Sequence, residues 1–555
     1  MPAISYRDIP FYSDLFCDYV SSKPTLQNFY NGSFRSPEDI LAHTNILRRR
    51  DYDRDYLADV LTKQNASFGA GEKTFTNIAK LRKSETFAIV TGQQVGLFGG
   101  PLYTIYKIIT ALQLCESLRT QHAGCEFIPV FWLETEDHDF DEANHAWLID
   151  GSGALLRAGY EIHTDEDEKA RTQGPTGAVV FDEQIVSIVD SIEKNLPATE
   201  FHETVITAIR GAYSSGTTFS KAFAKLIQIL FPEAGIVCLD PMDRMLKEML
   251  TPIFRRELEY APRTCEAVVQ QSVMLEQKYH AQVKPRVINL FYFWKGGRFP
   301  IEFRKELDSY WLKGTRQYFT KDELFRSLKE HPDYFTPNVV LRPICQDLLL
   351  PTAMYVAGPG EIAYFAQFKP VYNIFGVPMP IIYPRASVTI LEERFEKTME
   401  KFSLTLNEIF SDVQKAREKS AQTGQNIPLE ETFGAAHSLI TEAFESARPA
   451  IEAYDMTLLH TLETAKQKAQ QAMDVLGDKI TAAAVRANTT AATQMDKLIA
   501  NIAPNEKPQE RSLNILYYLN KYGMDFCETL KQQISLDTTN HQIVSPMKRG
   551  GGGRR

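Results

Sequence analysis

Residues 86–107 read TFAIVTGQQVGLFGGPLYTIYK. The apolar, β-branched run TFAIVTG (86–92) ends on a glycine and reads as a short buried strand. In PLYTIYKIITALQLCESLR (101–119), Tyr103, Tyr106, Ile109, Leu112 and Leu114 suit a helix packed on a sheet, and Pro101 suits its first position. CEFIPVFWLE (125–134) reads as a second buried strand. Strand, glycine loop, helix and strand make a βαβ unit, whose crossover is right-handed. The pattern predicts an open α/β core around a parallel sheet.

Working outward, GIVCLDP (235–241) and VPMPIIYPRAS (377–387) predict further strands, and another ends at AGPGE (357–361). Residues 1–80 look helical, with Ser36-Pro37 a helix start. Core pieces are expected at 81–150, 216–260 and 336–386, separated by insertions at 151–215 and 261–335. The second insertion should hold a hairpin around Gly296-Gly297. Over 391–413 and 451–480 apolar residues step by threes and fours, so 387–505 reads as an antiparallel helical coiled coil or a plain bundle, with a polar loop at Gly424 and Pro428. A last helix within 506–540 should return to the core, and 541–555 reads as a flexible tail.

The chain has 555 residues, 44% hydrophobic and 24% charged, with a formal net charge of −9, the profile of a soluble protein of several structural units. An acidic surface argues against nucleic acid as a partner. No basic-then-apolar leader and no membrane span is read, so no membrane partner is expected. Seven scattered cysteines with no CxxC pair argue against disulfides and structural zinc. These features predict a cytoplasmic protein.

The loop 92–100 matches neither GxGxxG nor GxxxxGK[ST]. It still leaves the carboxyl end of a strand, where open α/β sheets bind ligands and where anions are favoured. Gln93, Gln94, Gly96, Gly99, Gly100 and Lys107 are candidates there, although a tight turn with a surface lysine accounts for the same residues. PVFWLETEDHDFDEANH (129–145) follows the next strand and is dense in carboxylates and imidazoles. His138 and Asp139 suit general base work or a divalent cation, while Asp141 and Glu142 suit a helix cap. No HxH or HExxH is present, so no resident protein-bound metal is expected. Arg342 and Asp347 are charges in an apolar run, and Gly358, Gly360 and Glu361 form a second ligand-facing turn or a structural cap. Arg385 suits a bidentate carboxylate or phosphate contact, or a domain-joining salt bridge.

TGQQVGLFGGPLYTIYK, PVFWLETEDHDFDEANH, LRPICQDLLLPT, AGPGEIAYFAQ, MPIIYPRAS and QERSLNILYYLNKYG, in this order, resemble the bacillithiol biosynthesis cysteine-adding enzyme (cysteine ligase) family. The resemblance implies a Rossmann-like, nucleotidyltransferase-type sheet with two inserted connecting subdomains and a long antiparallel coiled coil that serves homodimerisation. It also implies a ligase that joins the carboxyl of cysteine to the glucosamine amine of glucosaminyl malate. Because a carboxylate does not acylate an amine unaided, ATP, with Mg²⁺ as its counter-ion, is the expected activator. The candidate catalytic residues are then His138, Asp139, Asp141 and Lys107. The candidate substrate contacts are Gln93, Gln94, Gly96, Gly99, Gly100, Tyr103, Asn144, Arg342, Asp347, Gly358, Gly360, Glu361, Tyr383 and Arg385. The family is similar to class I aminoacyl-tRNA synthetases, and Gln93 to Gly100 would stand where those enzymes carry their nucleotide-binding signature. Two departures leave their route of activation open: the histidine pair of that signature is absent, and YPRASVT (383–389) stands where their lysine-rich loop would follow the last strand. An enzyme acting on another acid, an inactive coiled-coil scaffold and a metal-dependent hydrolase are the competing readings.

Overall fold

The computed structural model describes residues 3–162, 174–422, 429–487 and 489–546. The chain divides into two compact units, 1–389 with 509–544, and 390–508.

Five parallel strands form the core of the first unit, numbered here in chain order: β1 (Thr86–Gln94), β2 (Glu126–Glu134), β3 (Val237–Leu239), β4 (Thr352–Ala357) and β5 (Ile381–Pro384). Their order across the sheet is β5-β4-β1-β2-β3. β1 and β2 run in register from Thr86↔Glu126 to Gln94↔Glu134, and β4 pairs with the other edge of β1. Phe87, Ala88, Ile89 and Val90 are all buried, so successive side chains find apolar cover on both faces, as in helix-covered parallel sheets. Helix α1 (Leu102–Gln121) follows the glycine loop and is buried nearly all round. The strand order reverses between β1 and β4, which creates a crevice at their carboxyl ends.

The first 80 residues are mainly helical, as the sequence suggested. Between β2 and β3 lie an antiparallel pair (His145–Ile149 with Leu155–Gly159) and the helices Gln184–Asn195, His202–Ala212 and Phe219–Leu230. Residues 163–173 of this insertion lie outside the described part. Between β3 and β4, helix α2 (Arg244–Tyr260) precedes an antiparallel five-stranded sheet. Its central hairpin pairs Leu290–Trp294 with Gly297–Arg304 and turns at Lys295-Gly296, around the expected glycines.

The C-terminal return differs in detail from expectation. Gly523, at φ 94°, splits it into helices Leu516–Tyr522 and Phe526–Gln533. The expected tail begins as a strand, Asn540–Val544, antiparallel to Ala3–Ser5; residues 547–555 lie outside the described part.

In the second unit the antiparallel hairpin is made by helices Leu429–Tyr454 and Leu459–Ala487, turning at 455–458. Stretch 451–480 therefore spans a turn that its apolar spacing concealed. The polar loop at Gly424 and Pro428 lies outside the described residues. Stretch 391–413 is interrupted: Glu393–Lys401 and Leu406–Ser411 are separate helices, the second opened by a Thr405/Glu408 capping box.

Candidate active site

The crevice holds a cavity of about 550 Å³. Gly92, Gln93 and Gln94 end β1, Glu134 ends β2 and Gly358 follows β4, so backbone topology alone brings these positions together. α1 adds Tyr103 and Lys107, and helix α3 (Arg342–Leu349) adds Arg342. Helix α4 (Pro359–Phe365) adds Gly360 and Glu361.

Lys107 is a buried cation rather than the surface lysine of the simpler reading. Its Nζ donates to Gly92 O (2.7 Å) and Gln93 Oε1 (3.1 Å) and pairs with Glu361 Oε2 at 2.5 Å. Burial pulls the Lys107 pKa down, against the opposing pull of Glu361. Burial would raise Glu361, but Lys107, the Gly358 N–H and the Tyr355 hydroxyl outweigh it and hold that carboxyl below its usual range. Gly358 is needed here for space. A Cβ on it would meet Glu361 Oε2 at 3.3 Å, with Arg385 Nε and Lys107 Cε just beyond.

Arg385 is buried and bidentate to Glu510, with Tyr103 5.6 Å beneath its guanidinium. Its Nε and the Nη2 of Arg342 are buried N–H groups with no hydrogen-bond partner among the described residues. Buried donors left without an acceptor are costly, and an oxygen in the cavity, of a ligand or of water, would satisfy these two. Arg342 otherwise donates to Gln346 Oε1 (3.0 Å) and lies 3.4 Å from Glu134 Oε2.

The second insertion closes the opposite wall. Arg298 is buried and fixed by Thr336 Oγ1 (2.8 Å), Pro337 O (2.7 Å) and the Phe291 ring (4.0 Å). Its Nη1 lies 3.3 Å from His138 Nδ1. Below it, Lys247 of α2 pairs with buried Glu136 and donates to Phe335 O (3.1 Å), tying the end of β2 to the inserted sheet. Lys284, Arg286 and Arg511 complete the lining, and none of the three pairs with a carboxylate among the described residues.

Of the sequence candidates, Gln93, Gln94, Tyr103, Lys107, His138, Arg342, Gly358, Gly360, Glu361 and Arg385 meet at this cavity. Eight do not line it. The Gly99 and Gly100 N–H groups are spent on Gly96 O and Leu97 O within the turn, and Asn514 Nδ2 holds the carbonyls of Phe98 and Gly100. Gly96, Gly99 and Gly100 therefore shape a turn and offer no amide cradle. Asp139 caps the short helix Phe140–Ala143 through Glu142 N, and its carbonyl accepts from Gln94. Asp141 is exposed outside the cavity, and buried Asn144 contacts His145 Nδ1. Asp347 is buried against Tyr372 and Gln346, and burial raises its pKa to about 6. Tyr383 donates to Leu536 O and borders a separate cavity with Phe34 and Arg35. Sequence reasoning missed Arg298, Lys284, Arg286 and Phe291, because nothing in a hairpin or in the irregular stretch before it marks the residues that face a distant strand end.

Among the described residues no group of three or more His, Cys, Asp or Glu gathers as a metal site, and no helix is long and apolar enough to cross a membrane.

Comparison with known proteins agrees with both units. Residues 1–386 match the family model described as bacillithiol biosynthesis BshC, N-terminal Rossmann-like domain. Residues 388–546 match that of the BshC C-terminal coiled-coil domain. A relative from Salinibacter ruber named "Putative cysteine ligase BshC" is 37% identical over 535 residues, covering 96% of each chain. One of the same name from Chlorobaculum tepidum is 36% identical over 551 residues, covering 96% of this chain and 97% of its own. The chain belongs to the bacillithiol biosynthesis BshC family.

Proposed function

We propose that the cavity is the active site of a carbon–nitrogen ligase that joins the carboxyl of cysteine to the glucosamine amine of glucosaminyl malate, the last step of bacillithiol formation. The observation that carries this reading is the pair of orphaned N–H groups on Arg342 and Arg385 beside the Lys107–Glu361 ion pair. They suit an anionic oxygen, either of the cysteine carboxyl or of a phosphate attached to it. Charge-assisted hydrogen bonds in a buried site strengthen as negative charge develops.

A carboxylate does not acylate an amine unaided, so the reaction draws on ATP with Mg²⁺ as its counter-ion. Arg342, Arg385 and Lys107 are the residues that would face its phosphates. Among the described residues no cluster of three or more His, Cys, Asp or Glu gathers for the metal, which would arrive with the nucleotide. Gln93, Gln94, Tyr103 and His138 supply hydrogen-bonding groups for the sugar. Lys284, Arg286 and Arg511 suit the two malate carboxylates, which gain from a two-pronged grip that Arg385, with both Nη atoms on Glu510, does not offer.

The protein acts in the cytoplasm as a homodimer joined through the long helical hairpin. That hairpin exposes Leu439, Met456 and Leu476, apolar residues a solvated helix pair has no use for. The test is incubation of purified protein with ATP, cysteine and glucosaminyl malate. Mass spectrometry should find the cysteinyl amide; accumulation of an amide with another acid in its place would overturn the substrate assignment.

A further inference from the structure

Four carboxylates line the cavity: Glu134, Asp137, Glu142 and Glu361. Glu361 is committed to Lys107, and Asp137 to the backbone N–H of His138 (2.7 Å) and of Asp139 (3.3 Å). Glu142 stands on the exposed helix that Asp139 caps. Glu134 differs from all three. It ends β2 directly opposite Gln94 of β1, three-quarters buried, and its ion-pair partner is Arg342 Nε at 3.4 Å.

We infer that Glu134 is the general base that takes the proton from the substrate ammonium, an inference that rests on the ligase reading above. A protonated amine has no lone pair. Transfer of one N–H proton to the Glu134 carboxylate frees that pair, which forms the C–N bond to the cysteine carboxyl carbon in its activated, phosphate-bearing form. The bond from that carbon to the phosphate oxygen breaks and the oxygen keeps the pair. The nitrogen sheds its second proton to the departing phosphate, and Glu134 returns its own to water.

The surroundings tune the group for this. Burial raises its pKa to about 7, Arg342 pulls it down, and Glu136, Asp137 and Arg298 act more weakly in opposing senses. Tyr364 of α4 and Cys345 of α3 are the other titratable groups near it. A base poised near neutrality is half ionised at working pH and still accepts a proton readily. His138, the base suggested by sequence, stands across the cavity wall against Arg298.

The test compares pH–rate profiles of wild type, Glu134→Gln, Glu134→Asp and His138→Ala, each with amine-substrate affinity measured separately. Glu134→Gln keeps size and polarity beside Arg342. It should lower kcat by ~10²-fold or more, the usual worth of a positioned base, flatten the acid limb near neutral pH and leave amine affinity within a few-fold. Glu134→Asp should restore part of the rate. The substrate amine titrates identically in all four proteins, so a limb lost only on changing Glu134 belongs to that residue. A Glu134→Gln protein that still makes the amide at near wild-type rate, with the limb intact, overturns the base alone. A wild type that makes no amide overturns the ligase reading and the base with it.

Discussion

Arg385 and Glu510 face each other as a bidentate pair, Nη1 3.0 Å from Oε2 and Nη2 2.7 Å from Oε1, with both side chains buried. One follows the last core strand and the other opens the C-terminal return, so a single ion pair closes the first unit on itself. Glu510 also accepts from Ser387 Oγ and Val388 N, both at 3.0 Å. Removing one partner strands a buried charge, which costs about 3–5 kcal/mol. Glu510→Gln should therefore lower the unfolding midpoint sharply in urea melts, and an unchanged midpoint would show that the pair does not anchor the return.

A second anchor is Asn514, whose Nδ2 donates to Phe98 O (2.9 Å) and Gly100 O (2.7 Å). Gly100 sits at φ 71°, a conformation that favours glycine. Asn514→Ala leaves those two buried carbonyls short of a donor and should cost roughly 1–3 kcal/mol. Gly100→Ala should cost a similar ~1–3 kcal/mol from backbone strain. Both are read by thermal unfolding.

The core βαβ unit was legible because its signals are local. TFAIVTG and CEFIPVFWLE are continuous apolar runs, and they became adjacent parallel strands of the expected βαβ unit. The cavity was half legible for the same reason: Gln93, Lys107 and Gly358 lie at or beside strand ends that the apolar runs mark. Glycine spacing misled, since a loop of positive-φ glycines looks alike whether its amides face an anion or, as at Gly99 and Gly100, its own carbonyls. Asp139 looked catalytic in a carboxylate cluster, yet only its geometry revealed a cap. Arg298 was invisible because the inserted sheet brings it to the cavity from a hairpin far along the chain.

Acid should weaken the fold through two buried histidines. His43 is held between Asn31 and Thr352 O, and His541 between Ser387 and Thr389; burial lowers the pKa of each to about 4. In the unfolded chain both titrate near the ordinary value of ~6.5. Between these values the unfolded state binds more protons, so stability is full above pH ~6.5 and falls as pH drops towards 4. Each histidine contributes up to about 3 kcal/mol to that loss. His541→Gln should shallow the slope of stability against pH in this window; an unaltered slope would assign the acid sensitivity elsewhere.

The proposed dimerisation through the helical hairpin predicts a response to charge on its exposed apolar residues. Leu439 is 66% exposed and Leu476 47% exposed in the isolated chain. The double change Leu439→Glu and Leu476→Glu should convert a dimer to a monomer in sedimentation experiments without altering the far-UV spectrum. A dimer that persists would place the interface on another surface.

In the proposed function, the cavity around Arg342 makes the cysteinyl amide. Its most direct test is the low-molecular-weight thiol content of cells lacking this protein, complemented with wild type or with Arg342→Gln. The glutamine removes the charge and the orphaned Nη2 donor, an interaction worth ~1.5–3 kcal/mol to a charged partner. Wild type should restore bacillithiol, while the variant, present at equal level, should leave glucosaminyl malate accumulated and cut the rate of thiol formation at least tenfold. Full restoration of bacillithiol by Arg342→Gln, at the wild-type rate, would contradict the account.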